Sequence, residues 1–178
     1  MKNIGLFYGS TSGNTEEVAE MIQAETTKRG IDIDVQDIHY LDDSTEMFTY
    51  ERLIIGIPTW CFGDHQDDWQ DFLDYMDKTT DLSHQTIAFY GLGDQEGYAE
   101  WFLDSMGFFA DLFEKMGAKI IGQWANKGYD FTSSTALRDD GKFVGLALDE
   151  DCQSELTEGR VMQWLDDILP QFKQMENK

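Results

Sequence analysis

Residues 9–15 form a turn that is rich in hydroxyl and amide side chains and contains two glycines. An apolar run precedes the turn and a helix-like pattern follows it, which predicts a change from strand to helix. Backbone N–H groups at the start of a helix bind anions, and Gly13 lets the backbone approach a ligand closely. Further hydrogen-bond donors come from Ser10, Thr11, Ser12, Asn14 and Thr15. The pattern therefore predicts an anion site.

The spacing of this turn argues against a triphosphate ligand. The triphosphate loop GxxxxGK[ST] needs four residues between its glycines and then a lysine. Here three residues separate Gly9 from Gly13, and Asn14 takes the position of the lysine. Neutral donors without a cation suit a small terminal phosphate, but an ordinary capped helix start has a similar composition. This turn alone leaves both interpretations open.

Two more loops place an aromatic side chain just after a predicted strand. Trp60 lies in residues 58–63 (PTWCFG), and Tyr98 lies in residues 91–98 (GLGDQEGY). Two such rings would stack on a flat heterocycle, whereas a lone aromatic more often covers the core. A phosphate-binding turn together with both aromatic loops favours a flat mononucleotide as the ligand.

Alternating strands and helices are predicted to position these loops. Apolar runs predict strands at residues 4–8, 31–35, 53–57, 86–90, 119–122 and 143–148. Helical patterns cover residues 15–29, 67–76, 101–116 and 157–174, and Pro170 is expected to kink or end the last one. This alternation predicts an α/β fold with a doubly wound parallel sheet, whose ligands bind beyond the carboxyl ends of the strands. A polar insertion at about 125–142 interrupts the last strand.

Length and charge limit the remaining possibilities. The 178 residues predict a single domain, 1–178, without linkers or repeats. A net charge of −22 argues against partners such as nucleic acids and anionic membranes. The acidic residues either solvate the surface or steer the protein onto basic partners, and charge alone does not separate these roles. High charge without an obvious apolar patch predicts a monomer.

Cysteines and histidines give no sign of a metal site. Cys61 and Cys152 form neither a CxxC pair nor a metal-ligand spacing, which predicts free thiols in a reducing compartment. The three histidines are scattered singly. No apolar run approaches the ~18 residues of a membrane span, and no signal-peptide pattern is present. We therefore expect a cytoplasmic protein.

Taken together, these segments resemble the flavodoxins. Residues 10–15 (STSGNT) resemble their phosphate signature [TS]x[TS]GxT, and residues 58–63, 91–102 and 143–151 resemble their flavin loops and the second half of their last strand. The similarity runs from residue 3 to about residue 172. The interrupted last strand resembles the long-chain subclass, and GLGDQEGYAEWFLDSMG looks closest to flavodoxin 2. Several motifs in the correct order make this resemblance specific.

The resemblance implies a flavodoxin-like sheet of five strands in the order 2-1-3-4-5. It also implies an electron carrier, not an enzyme, that binds FMN non-covalently. Ser10, Thr11, Ser12, Gly13, Asn14 and Thr15 would hold the phosphate. Trp60 and Tyr98 would stack on the two faces of the isoalloxazine ring. The remaining residues that the resemblance places near the cofactor are Pro58, Thr59, Cys61, Phe62, Gly63, Gly91, Leu92, Gly93, Asp94 and, near the ribityl chain, Asp149.

The resemblance also implies how the cofactor is tuned. The peptide between Cys61 and Phe62 corresponds to one that changes orientation when flavodoxins are reduced. Neither residue is glycine, so we predict that reorientation is harder here. The phosphate, Asp94 and the net charge all disfavour added negative charge, which predicts a low potential for the second electron. Basic-faced redox proteins, such as a flavodoxin/ferredoxin reductase and acceptor enzymes, are the expected partners.

Two other classes of function are compatible with this fold. One is an FMN-dependent quinone or NAD(P)H reductase, although no segment resembles a nicotinamide site. The other is a binding or signalling module without a flavin. A phosphoacceptor receiver would need an aspartate where Pro58 and Thr59 stand. A serine hydrolase is excluded because the sequence lacks Gly-x-Ser-x-Gly.

Overall fold

The computed structural model describes residues 4–174, so residues 1–3 and 175–178 of the predicted domain 1–178 lie outside the described residues. The strands are β1 (Ile4–Tyr8), β2 (Ile33–Asp37), β3 (Arg52–Trp60), β4 (Asp64–His65), β5 (Thr86–Leu92), β6 (Lys119–Ile121), β7 (Trp124–Ala125), β8 (Lys142–Phe143) and β9 (Leu146–Leu148). The α-helices are α1 (Asn14–Lys28), α2 (Asp67–Tyr75), α3 (Asp104–Lys115) and α4 (Thr157–Gln174).

The main sheet is parallel and has the strand order β2-β1-β3-β5-β6. β1 pairs with β2 on one side and with β3 on the other, so the direction of winding reverses between these two neighbours. The predicted order 2-1-3-4-5 is confirmed, since β5 and β6 are the fourth and fifth strands of the main sheet. Such a reversal opens a crevice at the carboxyl ends of the strands, where ligands bind.

The fifth position of the sheet is shared by two short strands. β6 pairs with residues 86–88 of β5, and β9 pairs with residues 90–92. Between them, residues 122–145 leave the sheet, and β7 pairs with β8 within this insertion. The predicted interruption of the last strand is therefore confirmed. The insertion packs closely on α3, because a Cβ added to Gly107 would lie 2.5 Å from the backbone of both Thr135 and Ala136.

Two hydrophobic clusters cover the two faces of the sheet. Side chains of a strand alternate between faces, and along β3 Ile55 belongs to one cluster while Ile54 belongs to the other. The first cluster contains buried residues of α2 and α3, and the second contains those of α1 and α4. Apolar residues on both faces explain why β3 and β5 read as nearly continuous apolar runs in the sequence.

Two predicted boundaries were wrong for local backbone reasons. Ile31 was placed in a strand, but its N–H donates to the carbonyl of Thr26 at 2.9 Å and Gly30 has φ +71°, so both residues terminate α1. The strand consequently begins at Ile33. The third helix was expected from residue 101, but Leu103 has φ +62°, which is incompatible with an α-helix, and α3 begins at Asp104.

The last helix does not end at Pro170. It continues to Gln174, and Phe172 beyond the proline is buried. The apolar residues of the helix that precede the proline are buried too: Val161, Trp164, Leu165, Ile168 and Leu169. Pro170 is exposed, so the carbonyl that loses its helical partner is on the solvent side. Among residues 4–174, no helix combines the length and apolar character needed to cross a membrane.

Candidate functional site

Three loops meet at the carboxyl ends of β1, β3 and β5 and form a cleft of about 320 Å³. All three are loops in which the sequence predicts chemistry. The predicted residues that line the cleft are Ser12, Asn14, Thr15, Pro58, Thr59, Trp60, Cys61, Leu92, Gly93, Asp94 and Tyr98. Two further residues, Glu150 and Asp151, complete the lining. In the part of the chain that the structure describes, no lysine or arginine lines this cleft.

The first loop connects β1 to α1 and aims the start of the helix at the cleft. Gly13, with φ +95°, stands just before α1, and nothing lies within 4 Å of where its Cβ would be. The backbone is therefore open to a ligand at this position. The Ser10 Oγ accepts a hydrogen bond from Gly13 N at 3.1 Å, which leaves the hydroxyl hydrogen of Ser10 to donate elsewhere. The loop thus presents hydroxyl donors beside free helix N–H groups.

The second loop is a tight hairpin between β3 and β4. Gly63 N donates to Trp60 O at 3.1 Å, and Cys61 has φ +41°. Trp60 is 39% exposed at the cleft, although it ends a strand whose other side chains are mostly buried. The ring of Phe62 lies outside the cleft and contacts Tyr98 edge-on, with centroids 5.9 Å apart. The hairpin itself was missed because its two-residue strand β4 has no sequence pattern.

Cys61→Gly is expected to raise the free energy of unfolding of the protein by about 1 kcal/mol. A left-handed backbone costs a residue with a side chain about 1–2 kcal/mol, and glycine removes this cost at the expense of some chain entropy. The measurement is urea unfolding. Cys61→Ala is the control, because it removes the thiol but keeps the Cβ. Equal stability of the two variants would contradict the assignment of strain to Cys61.

The third loop follows β5 and carries Tyr98. Gly93 N donates to Leu148 O at 3.1 Å, so the loop begins as an extension of the sheet. It is then held by Asp94, whose Oδ1 accepts from Glu96 N at 3.0 Å and from Gly97 N at 2.7 Å. Tyr98 is 37% exposed and lines the same cleft as Trp60. The two loops therefore bring both predicted aromatic side chains to one site.

Asp149 does not line the cleft. Its carboxylate is buried and accepts four hydrogen bonds, from Gln95 N, from Gln95 Nε2, from Asp151 N and from Cys152 N, at 2.7–3.0 Å. It therefore joins the Tyr98 loop to the segment that follows β9. The sequence singled out Asp149 in this part of the chain, whereas the structure has the next two residues, Glu150 and Asp151, lining the cleft. Their signal was the acidic run that directly follows the last apolar strand.

Carboxylates in the cleft and directly behind it affect one another. Burial raises the pKa of Asp151, and the negative charges of Asp94 and Asp149 raise it further. Each of these carboxylates therefore disfavours additional negative charge nearby. Because no cation lines the described cleft, this repulsion is not offset at the site.

Cys152 lies behind the cleft in the same acidic surroundings. Burial, followed by the charges of Asp149, Glu96 and Asp94, raises the pKa of the Cys152 thiol to about 11. One possible metal-ligand atom from each of Asp94, Asp149 and Cys152 lies within 4.8 Å of the other two. The Asp149 oxygens, however, are already occupied by N–H donors, and a protonated thiol is not a metal ligand. The cluster is therefore better described as a structural hydrogen-bond network.

The other predicted residues surround the cleft without lining it: Ser10, Thr11, Gly13, Phe62, Gly63 and Gly91. Gly91 is buried in β5, where a Cβ would lie 2.9 Å from Met106 Sδ. Thr59, which does line the cleft, is held from behind by Ser105, whose N–H donates to Thr59 Oγ1 at 3.2 Å. The sequence contained no sign of this support.

Comparison with known proteins identifies the family of this chain. The family model described as "Flavodoxin" matches residues 6–164. Relatives include the flavodoxin of Klebsiella pneumoniae, 42% identical over 100% of this chain and 99% of its own, and the flavodoxin of Synechocystis sp., 46% identical over 96% of this chain and 98% of its own. Flavodoxin 1 of Escherichia coli K12 is 45% identical over 92% of this chain and 91% of its own.

Solved structures agree with the sequence relatives. The crystal structure of Fusobacterium nucleatum flavodoxin bound to flavin mononucleotide is 28% identical, has a TM-score of 0.86, and covers 96% of this chain and 99% of its own. The chain belongs to the flavodoxin family.

Proposed function

We propose that this protein is an electron carrier that binds FMN non-covalently in the cleft and transfers one electron at a time at low potential. The observation that carries this proposal is the composition of the cleft. Hydroxyl and backbone donors at the start of α1 suit a phosphate, and Trp60 and Tyr98 suit a flat ring system. The relatives are flavodoxins, one of them solved with bound flavin mononucleotide.

The residues present fit the cofactor. The open space at Gly13 and the hydroxyls of residues 10–15 would hold the phosphate, and the cleft provides a place for the ring between the second and third loops. Thr59, Cys61 and residues 92–94 would meet the ring edge with backbone groups. Asp149 would act on the ribityl side through the residues that its carboxylate holds in place.

The chain controls the potential of the cofactor, while FMN supplies the redox chemistry. Asp94, Glu150 and Asp151 place negative charge at the cleft, in a protein of net charge −22. A repulsion of about 1.4 kcal/mol changes an equilibrium tenfold, so a few such interactions lower the potential for the second electron substantially. Trp60 and Tyr98 would also exclude water from the ring faces, which strengthens this repulsion.

The partners that fit this surface are redox proteins with a basic face, such as a flavodoxin/ferredoxin reductase and acceptor enzymes. We further propose a cytoplasmic monomer with one domain.

Membership of the long-chain subclass is supported by the insertion at 122–145, and similarity to flavodoxin 2 stays a prediction. A reductase on the same fold is not favoured, because the relatives are named as flavodoxins.

Stepwise photoreduction of the purified protein, followed by its visible absorption spectrum, tests this function. We expect flavin absorption bands that bleach in two separate one-electron steps, with the second at a lower potential than in free FMN. Oxidation of NADPH or reduction of a quinone without an added reductase would favour the enzyme instead. Colourless protein that does not take up added FMN would contradict the proposal altogether.

A further inference from the structure

Gln66 is a buried polar residue directly beneath the phosphate-binding turn. Only 2% of it is exposed, and it stands just before α2. A Cβ added to Gly9 would lie 2.5 Å from Gln66 Oε1, so the amide packs against the turn itself. The sequence gives no reason to single out this glutamine, because it lies outside all three loops in which the sequence predicts chemistry.

Three hydrogen bonds determine the orientation of the Gln66 amide. Its Oε1 accepts from Trp69 N at 3.3 Å, and its Nε2 donates to Asp68 Oδ2 at 2.5 Å and to Thr11 Oγ1 at 3.2 Å. A backbone N–H only donates and an ionised carboxylate only accepts, so the amide cannot be turned over without losing both bonds. Gln66 Nε2 must therefore be the donor toward Thr11.

This polarity determines what the Thr11 hydroxyl does. An amide nitrogen cannot accept a hydrogen bond, so Thr11 Oγ1 must accept from it and keeps its own hydrogen for another acceptor. Among the described residues, the Thr11 hydroxyl has no second hydrogen-bond partner, and Thr11 is exposed at the turn. The hydroxyl hydrogen is thus available to an anion held in residues 10–15.

We propose that Gln66 is a positioning residue for the phosphate of the cofactor: it orients the Thr11 hydroxyl as a donor to the anion without touching the anion itself. The inference rests on the proposed function. Asp68 completes the arrangement, because His39 Nδ1 lies 2.8 Å from its other oxygen and holds the carboxylate in place. The order of contacts from the protein surface to the phosphate is therefore His39, Asp68, Gln66 and Thr11.

Gln66→Glu replaces the hydrogen-bond donor toward Thr11 by an acceptor and provides the test. A carboxylate at position 66 cannot donate to Thr11, and it repels Asp68. The affinities of the flavin-free protein for FMN and for riboflavin are measured by quenching of flavin fluorescence. Riboflavin has the same ring but no phosphate. We expect Gln66→Glu to weaken FMN binding by about tenfold to 100-fold, as loss of a hydrogen bond to a charged group does, and riboflavin binding by less than about twofold.

Gln70→Glu is the matched control. Gln70 is exposed one helical turn further along α2, and its Nε2 donates to Asp74 Oδ1 at 2.9 Å. The variant makes the same change in charge next to an aspartate, but it is not in contact with the turn. We expect FMN affinity within about twofold of the wild type. An equal loss in both glutamate variants would mean that charge alone weakens binding and would overturn the proposal.

A double-mutant cycle with Thr11→Val tests whether Gln66 acts on FMN binding through the Thr11 hydroxyl. If Gln66 acts through the Thr11 hydroxyl, Gln66→Glu should weaken FMN binding much less in the Thr11→Val background, and Thr11→Ser should retain most of the affinity. Additive effects, or equal losses for FMN and riboflavin, would overturn the positioning role. If Gln66→Glu does not fold, Gln66→Met, which removes the donor without adding charge, is measured in the same way. Failure of the wild-type protein to bind FMN would contradict the proposed function instead.

Discussion

Trp60→Ala is expected to weaken FMN binding by about 30-fold. Stacking of a planar ring on an aromatic side chain contributes about 1–3 kcal/mol, and ~2 kcal/mol corresponds to this factor. Trp60 is 39% exposed at the cleft, so its ring has surface left to bury against a cofactor. The measurement is the dissociation constant of FMN from the flavin-free protein. Because the ring is far from fully buried, the free energy of unfolding should change by less than about 1 kcal/mol.

Two other substitutions make the result at Trp60 specific. Trp60→Phe keeps a planar ring and should recover most of the affinity. Tyr75→Ala removes an aromatic that is 84% exposed at the end of α2, away from the cleft, and should leave FMN binding unchanged. If Trp60→Ala binds FMN within about twofold of the wild type, the ring does not stack on the cofactor.

Gly56→Ala is expected to reduce the free energy of unfolding by about 3 kcal/mol or more. A Cβ at this position in β3 would lie 2.2 Å from Cζ and Oη of Tyr90. Tyr90 is completely buried, and its hydroxyl donates to Thr15 O at 3.0 Å. The ring therefore cannot move without breaking a buried hydrogen bond to the first turn of α1. Overpacking of a core costs about 1–3 kcal/mol, and the lost hydrogen bond adds to this cost.

Gly159→Ala provides the comparison for urea unfolding of the flavin-free protein. Gly159 lies in the first turns of α4, and nothing stands within 4 Å of the added Cβ. Alanine favours a helix over glycine by up to about 1 kcal/mol, so this variant should be slightly more stable. A Gly56→Ala protein within about 1 kcal/mol of the wild type would mean that Tyr90 relaxes without cost, which its contacts contradict.

The sequence predicted the parts of the site that depend on local chemistry. Residues 10–15 combine a helix start with a dense set of donors, and long apolar runs mark β3 and β5, although both strands extend two or three residues beyond the predicted ends. Trp60 and Tyr98 stood out because a large aromatic after a strand is not needed for the sheet. The structure brings all three loops to one cleft, as expected for a parallel sheet.

The remaining features depend on contacts between residues distant in sequence. Gln66 and Thr11 are 55 residues apart, and Ser105 and Thr59 are 46 residues apart, so no local pattern links them. Tertiary packing also overrides local preference at Pro170, where burial of Phe172 keeps the chain helical beyond the proline. Likewise, Ile31 has the composition of a strand, but its N–H ends the preceding helix.

β6 ends opposite Ala88 and β9 begins opposite Tyr90. The gap between the two strands along the sheet is therefore one residue long and lies opposite Phe89. A gene deletion that left one residue between Ile121 and Leu146 would restore a continuous strand in the same register. The boundary between β6 and β9 is therefore a point at which evolution can add or remove a long segment without shifting any neighbouring strand.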